Sequence, residues 1–572
     1  AVQLGDGGGA SSKPDAGRTT GGAAAGVSGV EAAATTAAVS GSAARDASSA
    51  VVTGPPAKGA RDLVCTLLPE LLPPLIKDLT EWTVAQRLCA ARSMLTTLVL
   101  AGEGATGHLN TLIPALCSAI GDESTEVASY VIQGVHVTGA SVPAKHWLPL
   151  ALDHLANSKL SVAQRTNALV VLSGLLHASG QASAQPPPDA GLLMHLANVL
   201  VSDELRAAAD HAPARQQLLA VAVNILQWGG SRCQQVSMQL YVLLLQLFGC
   251  EEDPAKRAGI TDVMSRMAAA CGASSWHQIT DAHAEPLFTR LCGSAATWSP
   301  GSMDYHAVRA LLLTASPSSL SRLAHPLCCV LKPIVSDHEG DASLRLSLLQ
   351  LVDTLLESPE QGPSLAGDHA GTLLTHVLLP PLTWRAGKTA AAIRFAAVTA
   401  LATLLRRQLM QPKALLQLIG DGTLLPLLTQ ELDEDWYVDV RNMACFVIEQ
   451  LLMLVGPKLN HEARRAIYPE LIKRLDDSSN QVRVAACKAL AVFCTTMNAD
   501  YCETNSGYLA AGVVIHMDDS EMSVQEAACS VLEALAARKP HPVRLEIMKV
   551  RDRFRSKHYC DRVLAACEKP QT

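Results

Sequence analysis

The segment Ile467–Phe493 reads IYPELIKRLDDSSNQVRVAACKALAVF and predicts two helices folded back against each other. In its first part, apolar residues follow at steps of four from Ile467 to Leu475, which places them on one face of a helix. The run 476–480 then interrupts the pattern with residue types that cap helix N-termini. Apolar residues recur at helical spacing from Val482 to Phe493. The segment is therefore predicted to be one helical hairpin.

The second half of this hairpin carries a template of mostly apolar residues that recurs along the chain. Its five copies begin at Leu344, Ile393, Val440, Val482 and Val524. These starts are 42 to 49 residues apart, which is the repeat length of HEAT helix pairs. Arginine follows the first residue in four of the copies, and Gln525 does so in the last. We therefore predict an all-α fold, a HEAT-repeat α-solenoid in which about eleven or twelve antiparallel helix pairs form a superhelical array.

The composition agrees with helices that pack through small and aliphatic side chains. Hydrophobic residues make up 49% of the chain and aromatic residues only 4%, which argues against a sheet-rich core. The net charge of −7 shows no basic excess of the kind that nucleic-acid partners require. The 16 cysteines form no CxxC pair, and several lie in apolar helical stretches, so we expect a reducing compartment. The uncharged run Cys233–Cys250 contains four glutamines and predicts a buried solenoid helix rather than a membrane span.

Composition also predicts how the chain is divided. Residues 1–60 are mostly Ala, Gly, Ser and Thr, and we expect them to form a disordered linker. Residues 61–570 are predicted to form the solenoid, with a Pro-rich loop near 178–190. The repeat register is not clear between 200 and 330. Because the chain does not begin with Met, we expect it to be a fragment, a processed chain or the product of an incomplete gene model.

No catalytic or metal-binding constellation is evident in the sequence. The histidines are dispersed, and neither an HExxH motif nor a zinc-type spacing occurs. Gly387, Lys388 and Thr389 resemble the end of a phosphate-binding loop, but the upstream glycine of that loop is missing. We therefore expect no enzymatic activity, no catalytic residue, no cofactor and no metal.

Acidic turns form the first candidate surface for partner binding. Its residues are Asp433, Asp435, Asp476, Asp477, Asp518 and Asp519. If the repeats stack at about 10 Å, the spacing of packed helices, these turns fall on one acidic edge. The alternative is that they cap the following helices and pair with Arg441 or Arg483, and the frequency of Asp before helices favours it.

Two further surfaces are candidates. Trp384, Arg385 and Lys388 lie in a glycine-containing turn, and Trp and Arg are common at interaction hot spots. The alternative for Trp384 is packing against its own repeat. The basic segment 538–557 is typical of a solvated face that closes the array, and a site for an acidic partner is the less common alternative.

Two stretches of the later repeats carry a family resemblance. PLTWRAGKTAAAIRFAAV (381–398) and IYPELIKRLDDSSNQVRVAA (467–486) resemble the C-terminal half of the HEAT-repeat dynein axonemal assembly factor five family. The opening unit 70–95 and the segment 556–564 are similar to the same family. The resemblance covers roughly 61–567. The family has an N-terminal HEAT array, whereas here only the low-complexity segment precedes the first repeat.

This resemblance implies a cytoplasmic protein of ciliated or flagellated cells that helps to preassemble outer and inner dynein arms. The partners that it implies are axonemal dynein heavy or intermediate chains, other dynein assembly factors and heat-shock chaperones, without nucleic acid or membrane. It transfers no catalytic residue. We therefore expect a non-catalytic scaffold or adaptor. The alternative is a HEAT-repeat nuclear transport receptor or a phosphatase-type scaffold.

Overall fold

Helices account for the regular structure of the part of the chain that the computed structural model describes, residues 57–182, 185–433, 437–498 and 500–568. No strand occurs within these residues. The prediction of an all-α HEAT-repeat α-solenoid is confirmed. The described residues from 61 onward form one compact unit. The predicted linker lies outside the described residues except for 57–60, where the first helix begins.

The described residues contain twenty-seven α-helices. The first fourteen are α1 (Lys58–Asp78), α2 (Val84–Ala101), α3 (Leu109–Ala119), α4 (Thr125–Ser141), α5 (Ala144–Leu155), α6 (Val162–Gln181), α7 (Ala190–Leu200), α8 (Asp203–Ala208), α9 (Ala212–Gly229), α10 (Ser237–Cys250), α11 (Pro254–Ala270), α12 (Trp276–Cys292), α13 (Met303–Thr314) and α14 (Pro317–Ser336).

The remaining helices follow in the same alternating manner. They are α15 (Ala342–Glu357), α16 (Gln361–Ala366), α17 (Ala370–Leu373), α18 (Lys388–Arg406), α19 (Pro412–Gly420), α20 (Leu424–Leu432), α21 (Val438–Val455), α22 (His461–Lys473), α23 (Asn480–Thr495), α24 (Glu503–Val514), α25 (Met522–Ala536), α26 (Pro540–Val550) and α27 (Lys557–Cys567). Short 3₁₀ turns extend or join several of them, and residues 374–378 form one π turn.

The five template copies lie in helices α15, α18, α21, α23 and α25. These second helices of each pair stack on one another in chain order, and the stack ends with α27. The first helices form a second layer in which α20, α22, α24 and α26 follow one another. In α23 the template residues Val482, Ala486, Leu490 and Phe493 are fully buried. Their stripe is wide because α23 packs against α21 on one side and α25 on the other.

The middle of the chain departs from simple alternation. Helix α9 stacks on α6, but α10 packs mainly against α13 rather than against the helix that follows it. All eight residues from Leu240 to Leu247 of α10 are buried. A helix covered on every side has no polar face, so its sequence shows no helical periodicity. This explains why the register between 200 and 330 is not clear from the sequence.

Two segments bear on domain and membrane assignments. Helix α6 continues to Gln181 and α7 begins at Ala190, with the Asp189 side chain accepting from the Leu192 N–H. The first four residues of the segment predicted as a Pro-rich loop are therefore helical. Among the described residues, α18 alone is long and apolar enough to cross a membrane by length and composition. In the fold, 67% of its most apolar window is buried, as in a core helix.

Candidate interaction surface

An arginine in the first turn of several second helices reaches the turn of the following repeat. In α2, Arg87 Nε lies 2.6 Å from Asp122 Oδ2. In α21, Arg441 Nε lies 2.7 Å from Asp477 Oδ2. The same pairing joins Arg483 of α23 to an aspartate before α25. Each pair connects one repeat to the next, so these side chains couple neighbours as well as closing local turns.

These ion pairs include two of the six acidic residues that the sequence predicts as a partner surface. The Asp477 side chain is 2% exposed and the Asp519 side chain 14% exposed, and they face Arg441 and Arg483. Asp477 Oδ1 also accepts a hydrogen bond from a backbone N–H two residues later. Both carboxylates therefore pair with an arginine and cap a turn within the fold. Asp435 lies outside the described residues.

The other three acidic residues remain accessible to different degrees. The Asp476 side chain is 78% exposed. Asp433 is 51% exposed and accepts from Arg474 at 2.8 Å. Asp518 is 22% exposed and lies 3.4 Å from Arg555, which also donates to its backbone carbonyl. The acidic edge that a partner can reach therefore consists of Asp433, Asp476 and part of Asp518.

The pKa of Asp477 reflects its pairing. Burial raises the pKa of this carboxyl, but hydrogen bonds from Arg441 and from the Ser479 backbone, together with the charges of Arg441 and Arg474, bring it below its ordinary value. A group whose pKa is lower in the folded state stabilises the fold above its unfolded pKa of about 3.9. That stability is lost as the pH falls through the lower folded pKa.

We expect Asp477→Asn to destabilise the fold by about 3 kcal/mol at pH 7, since it removes the carboxylate that faces the buried Arg441 guanidinium. The difference from the parent should begin to shrink below a pH of about 4, because the unfolded parent binds a proton at Asp477 there and the folded parent does so only at lower pH. Denaturant unfolding at pH 7 and pH 3 measures both effects. Asp476→Asn removes the same charge from an exposed neighbour and should change little. Equal stability of the two variants at pH 7 would contradict the pairing.

The turn before α18 places Trp384 between two environments. The Trp384 side chain is 44% exposed. The Arg394 guanidinium carbon lies 6.0 Å from the centroid of its ring, within the range of a cation–π contact. Arg394 Nη1 also donates to the backbone carbonyl of Arg385 at 2.6 Å. Trp384 thus packs against its own repeat and still presents almost half of its surface to solvent.

A buried ion pair between α18 and α20 supports this turn. Arg394 Nε in α18 lies 3.5 Å from Glu431 Oε2 in α20, and their side chains are 1% and 0% exposed. Because Arg394 holds the Arg385 carbonyl as well, the pair links the turn to the interior of the next repeat. Arg385 and Lys388 project from the turn and line a cavity of about 280 Å³.

Several exposed apolar residues lie outside the surfaces predicted from sequence. Trp82, in the turn before α2, is 92% exposed. On the packed helices α24 and α26 and the turn after α24, four large apolar residues are more than half exposed. They are Tyr508, Ile515, Leu545 and Met548. Their sequence signal is weak: each is an apolar residue out of step with the buried stripe of its helix.

Comparisons with known protein families also identify HEAT repeats in this chain. Residues 50–251 match the family described as Dynein axonemal assembly factor 5, HEAT-repeat domain. Dynein axonemal assembly factor 5 of Homo sapiens is 28% identical over 523 residues, covering 89% of this chain and 59% of the human protein. The Xenopus laevis protein of that name is 25% identical over 522 residues, 90% of this chain and 60% of its own length. This chain is similar to dynein axonemal assembly factor 5 over most of its length.

The relationship to dynein axonemal assembly factor 5 confirms the resemblance carried by the repeat motifs. The chain spans about three-fifths of the length of these relatives. Residues 377–546 also match HEAT repeats described as Stalled ribosome sensor GCN1-like. Among solved structures, Kap121p is 12% identical with a TM-score of 0.33, over 88% of this chain and 53% of its own. A computationally designed armadillo repeat protein is 19% identical with a TM-score of 0.31, over 44% of this chain and 98% of its own.

Proposed function

We propose that this protein is a non-catalytic scaffold or adaptor in the cytoplasmic preassembly of axonemal dynein arms for cilia and flagella. The observation that carries the proposal is its similarity, over nine-tenths of its length, to proteins named dynein axonemal assembly factor 5. The proposed location is the cytoplasm of ciliated or flagellated cells. Because the chain spans only part of those relatives, we assign it the binding role of this repeat region alone.

The proposed partners are axonemal dynein heavy or intermediate chains, with other dynein assembly factors and heat-shock chaperones. Stacked helix pairs suit this role because every repeat adds exposed side chains to a surface held by its neighbours. The proposed contacts are the turn residues Trp384, Arg385 and Lys388, followed by the accessible acidic residues of the next turns. A half-exposed Trp flanked by Arg is a typical hot-spot composition.

Affinity capture from the cytoplasm of flagellated cells during flagellar regrowth tests the proposal. We expect the parent chain to retain dynein heavy or intermediate chains, detected by specific antibodies. Trp384→Ala should weaken this retention by about thirtyfold, the effect of losing a hot spot worth about 2 kcal/mol. Trp384→Phe keeps an aromatic ring over Arg394 and should retain more binding.

Trp82→Ala is the matched control, since it removes another exposed Trp from a turn in a distant repeat. It should leave dynein retention unchanged. Loss of dynein retention in Trp82→Ala but not in Trp384→Ala would show that dynein contacts the first repeats instead of the turn before α18. Absence of dynein chains from the parent capture, with the fold intact by circular dichroism, would overturn the proposed function.

A further inference from the structure

We propose that the cavity at the start of α18 binds a phosphate monoester group carried by a partner polypeptide, that is, a phosphoserine or phosphothreonine side chain. The cavity measures about 280 Å³ and lies between the turn before α15, the N-terminal part of α15 and the segment 383–390. Its ionisable lining residues are all basic. They are His338, Arg345, Arg385, Lys388 and Arg394. No carboxylate belongs to the lining.

The rear wall of the cavity is buried and rigid. Arg345 is 5% exposed, and its Nε and Nη2 donate to the Val335 carbonyl at 3.2 and 3.0 Å. Its Nη2 also lies 3.4 Å from His338 Nδ1. Arg394 forms the inner end of the lining and is held by Glu431. The wall therefore supplies buried guanidinium groups that hydrogen bonds and an ion pair hold in position.

Burial, and to a smaller extent neighbouring positive charge, lowers the pKa of two lining residues. Burial lowers the pKa of His338, and Arg385 and Arg345 lower it further, against the opposing charges of Asp337 and Glu339. Burial likewise lowers the pKa of the Arg345 guanidinium, with Arg385 adding to the effect and Asp337 opposing it. An anion in the cavity would relieve this repulsion.

The mouth of the cavity offers donors that are not used elsewhere. In the described part of the chain, the side chains of Arg385 and Lys388 form no hydrogen bond and no ion pair. At the start of α18, the Ala391 N–H is the first to donate to a backbone carbonyl, that of Gly387. No side chain caps the N–H groups before it. Gly387 has a φ of +108°, which an L-residue rarely adopts, so glycine lets the chain enter the helix here.

The size of the cavity and its donors favour a phosphate group over other anions. A phosphorylated side chain brings nearly two negative charges and three acceptor oxygens, which suits two cationic side chains beside a helix N-terminus. A carboxylate brings one charge and two oxygens. The cavity volume of about 280 Å³ accommodates a phosphate group.

Trp384 favours a polypeptide as the carrier of the phosphate. It lies in the chain between Thr383 and Arg385, which both line the cavity, and it presents an exposed ring there. A residue next to the phosphorylated one can cover that ring, which free phosphate cannot do. The inference deepens the proposed function and rests on it for the identity of the partner, since Arg385 and Lys388 are among its proposed contacts.

The test uses the full chain and a synthetic peptide library with a fixed central phosphoserine, beside the same library with serine. We expect retention of the phosphorylated library, competition by inorganic phosphate, and no retention of the serine library. Arg385→Ala combined with Lys388→Ala should reduce retention by at least about tenfold, because two charge-assisted contacts are lost. Lys413→Ala combined with Arg465→Ala removes the same charge from exposed positions outside the cavity and should have no effect.

Equal retention of the two libraries, or equal retention by both double variants, would overturn the site. Binding of inorganic phosphate without any binding of the phosphorylated library would overturn the polypeptide carrier, and preferential binding of ATP would indicate a nucleotide instead. The dynein capture experiment distinguishes a failure of the phosphate site from a failure of the proposed function. Dynein retention without phosphopeptide discrimination leaves the proposed function in place and removes the phosphate site. Phosphopeptide binding without dynein retention leaves the phosphate site in place and removes the proposed function.

Discussion

Replacing Leu490 by proline should unfold the repeats around α23 at a cost of about 3 kcal/mol or more. Leu490 is fully buried near the middle of α23, which runs from Asn480 to Thr495. Proline there removes a backbone hydrogen bond and forces its ring against the preceding turn. Because α23 packs against both α21 and α25, a break in it uncouples the repeats on either side.

Thermal and denaturant unfolding, followed by circular dichroism, measure this effect. Leu490→Met keeps the volume and apolar character of the side chain and should cost less than about 1.5 kcal/mol. We also expect Leu490→Pro to lose dynein retention, because the C-terminal repeats no longer hold one geometry. Native melting and native partner binding in Leu490→Pro would show that position 490 is not inside a packed helix.

Replacing Glu431 by alanine should cost about 3–5 kcal/mol, because it removes one member of a buried ion pair. Arg394 and Glu431 are 1% and 0% exposed, so water cannot take the place of the lost carboxylate. The effect should extend to the turn before α18, because Arg394 also holds the Arg385 carbonyl. We expect faster tryptic cleavage at Arg385 and Lys388 in addition to the lower unfolding midpoint.

Two comparisons separate this penalty from a general loss of charge. Asp433→Ala removes a carboxylate two residues further along, where the side chain is 51% exposed, and should cost less than about 0.5 kcal/mol. The double variant Arg394→Met with Glu431→Leu removes both charges and should be more stable than Glu431→Ala, since apolar pairs often replace buried ion pairs without loss. A double variant as unstable as the single one would contradict a penalty caused by uncompensated charge.

The sequence could predict the repeats wherever one side of a helix remains uncovered. The copies from Leu344 to Val524 have stripes of apolar residues that one polar face interrupts, so their period is visible. Helix α10 is buried through eight consecutive residues and shows no such period. Its place against α13 depends on contacts between distant parts of the chain, which no local pattern encodes.

The candidate surface could be predicted only in part, because neighbouring residues of one type have different roles. Asp476 and Asp477 are adjacent, yet their side chains are 78% and 2% exposed. Which of them meets Arg441 is set by the position of the turn relative to the preceding repeat. Similarly, Arg345 occupies the template position of Arg441 but donates to the Val335 backbone carbonyl rather than to a carboxylate.

The pairs between repeats also constrain how this part of the gene can change in length. Arg441 and Asp477 are 36 residues apart, and so are Arg483 and Asp519. The corresponding template copies begin 42 residues apart, at Val440, Val482 and Val524. An in-frame duplication or deletion of one such period returns each guanidinium to an equivalent aspartate. A change of length inside one of the packed helices would shift an arginine away from its aspartate, so we expect natural length variation here to occur in whole periods or in the surface loops.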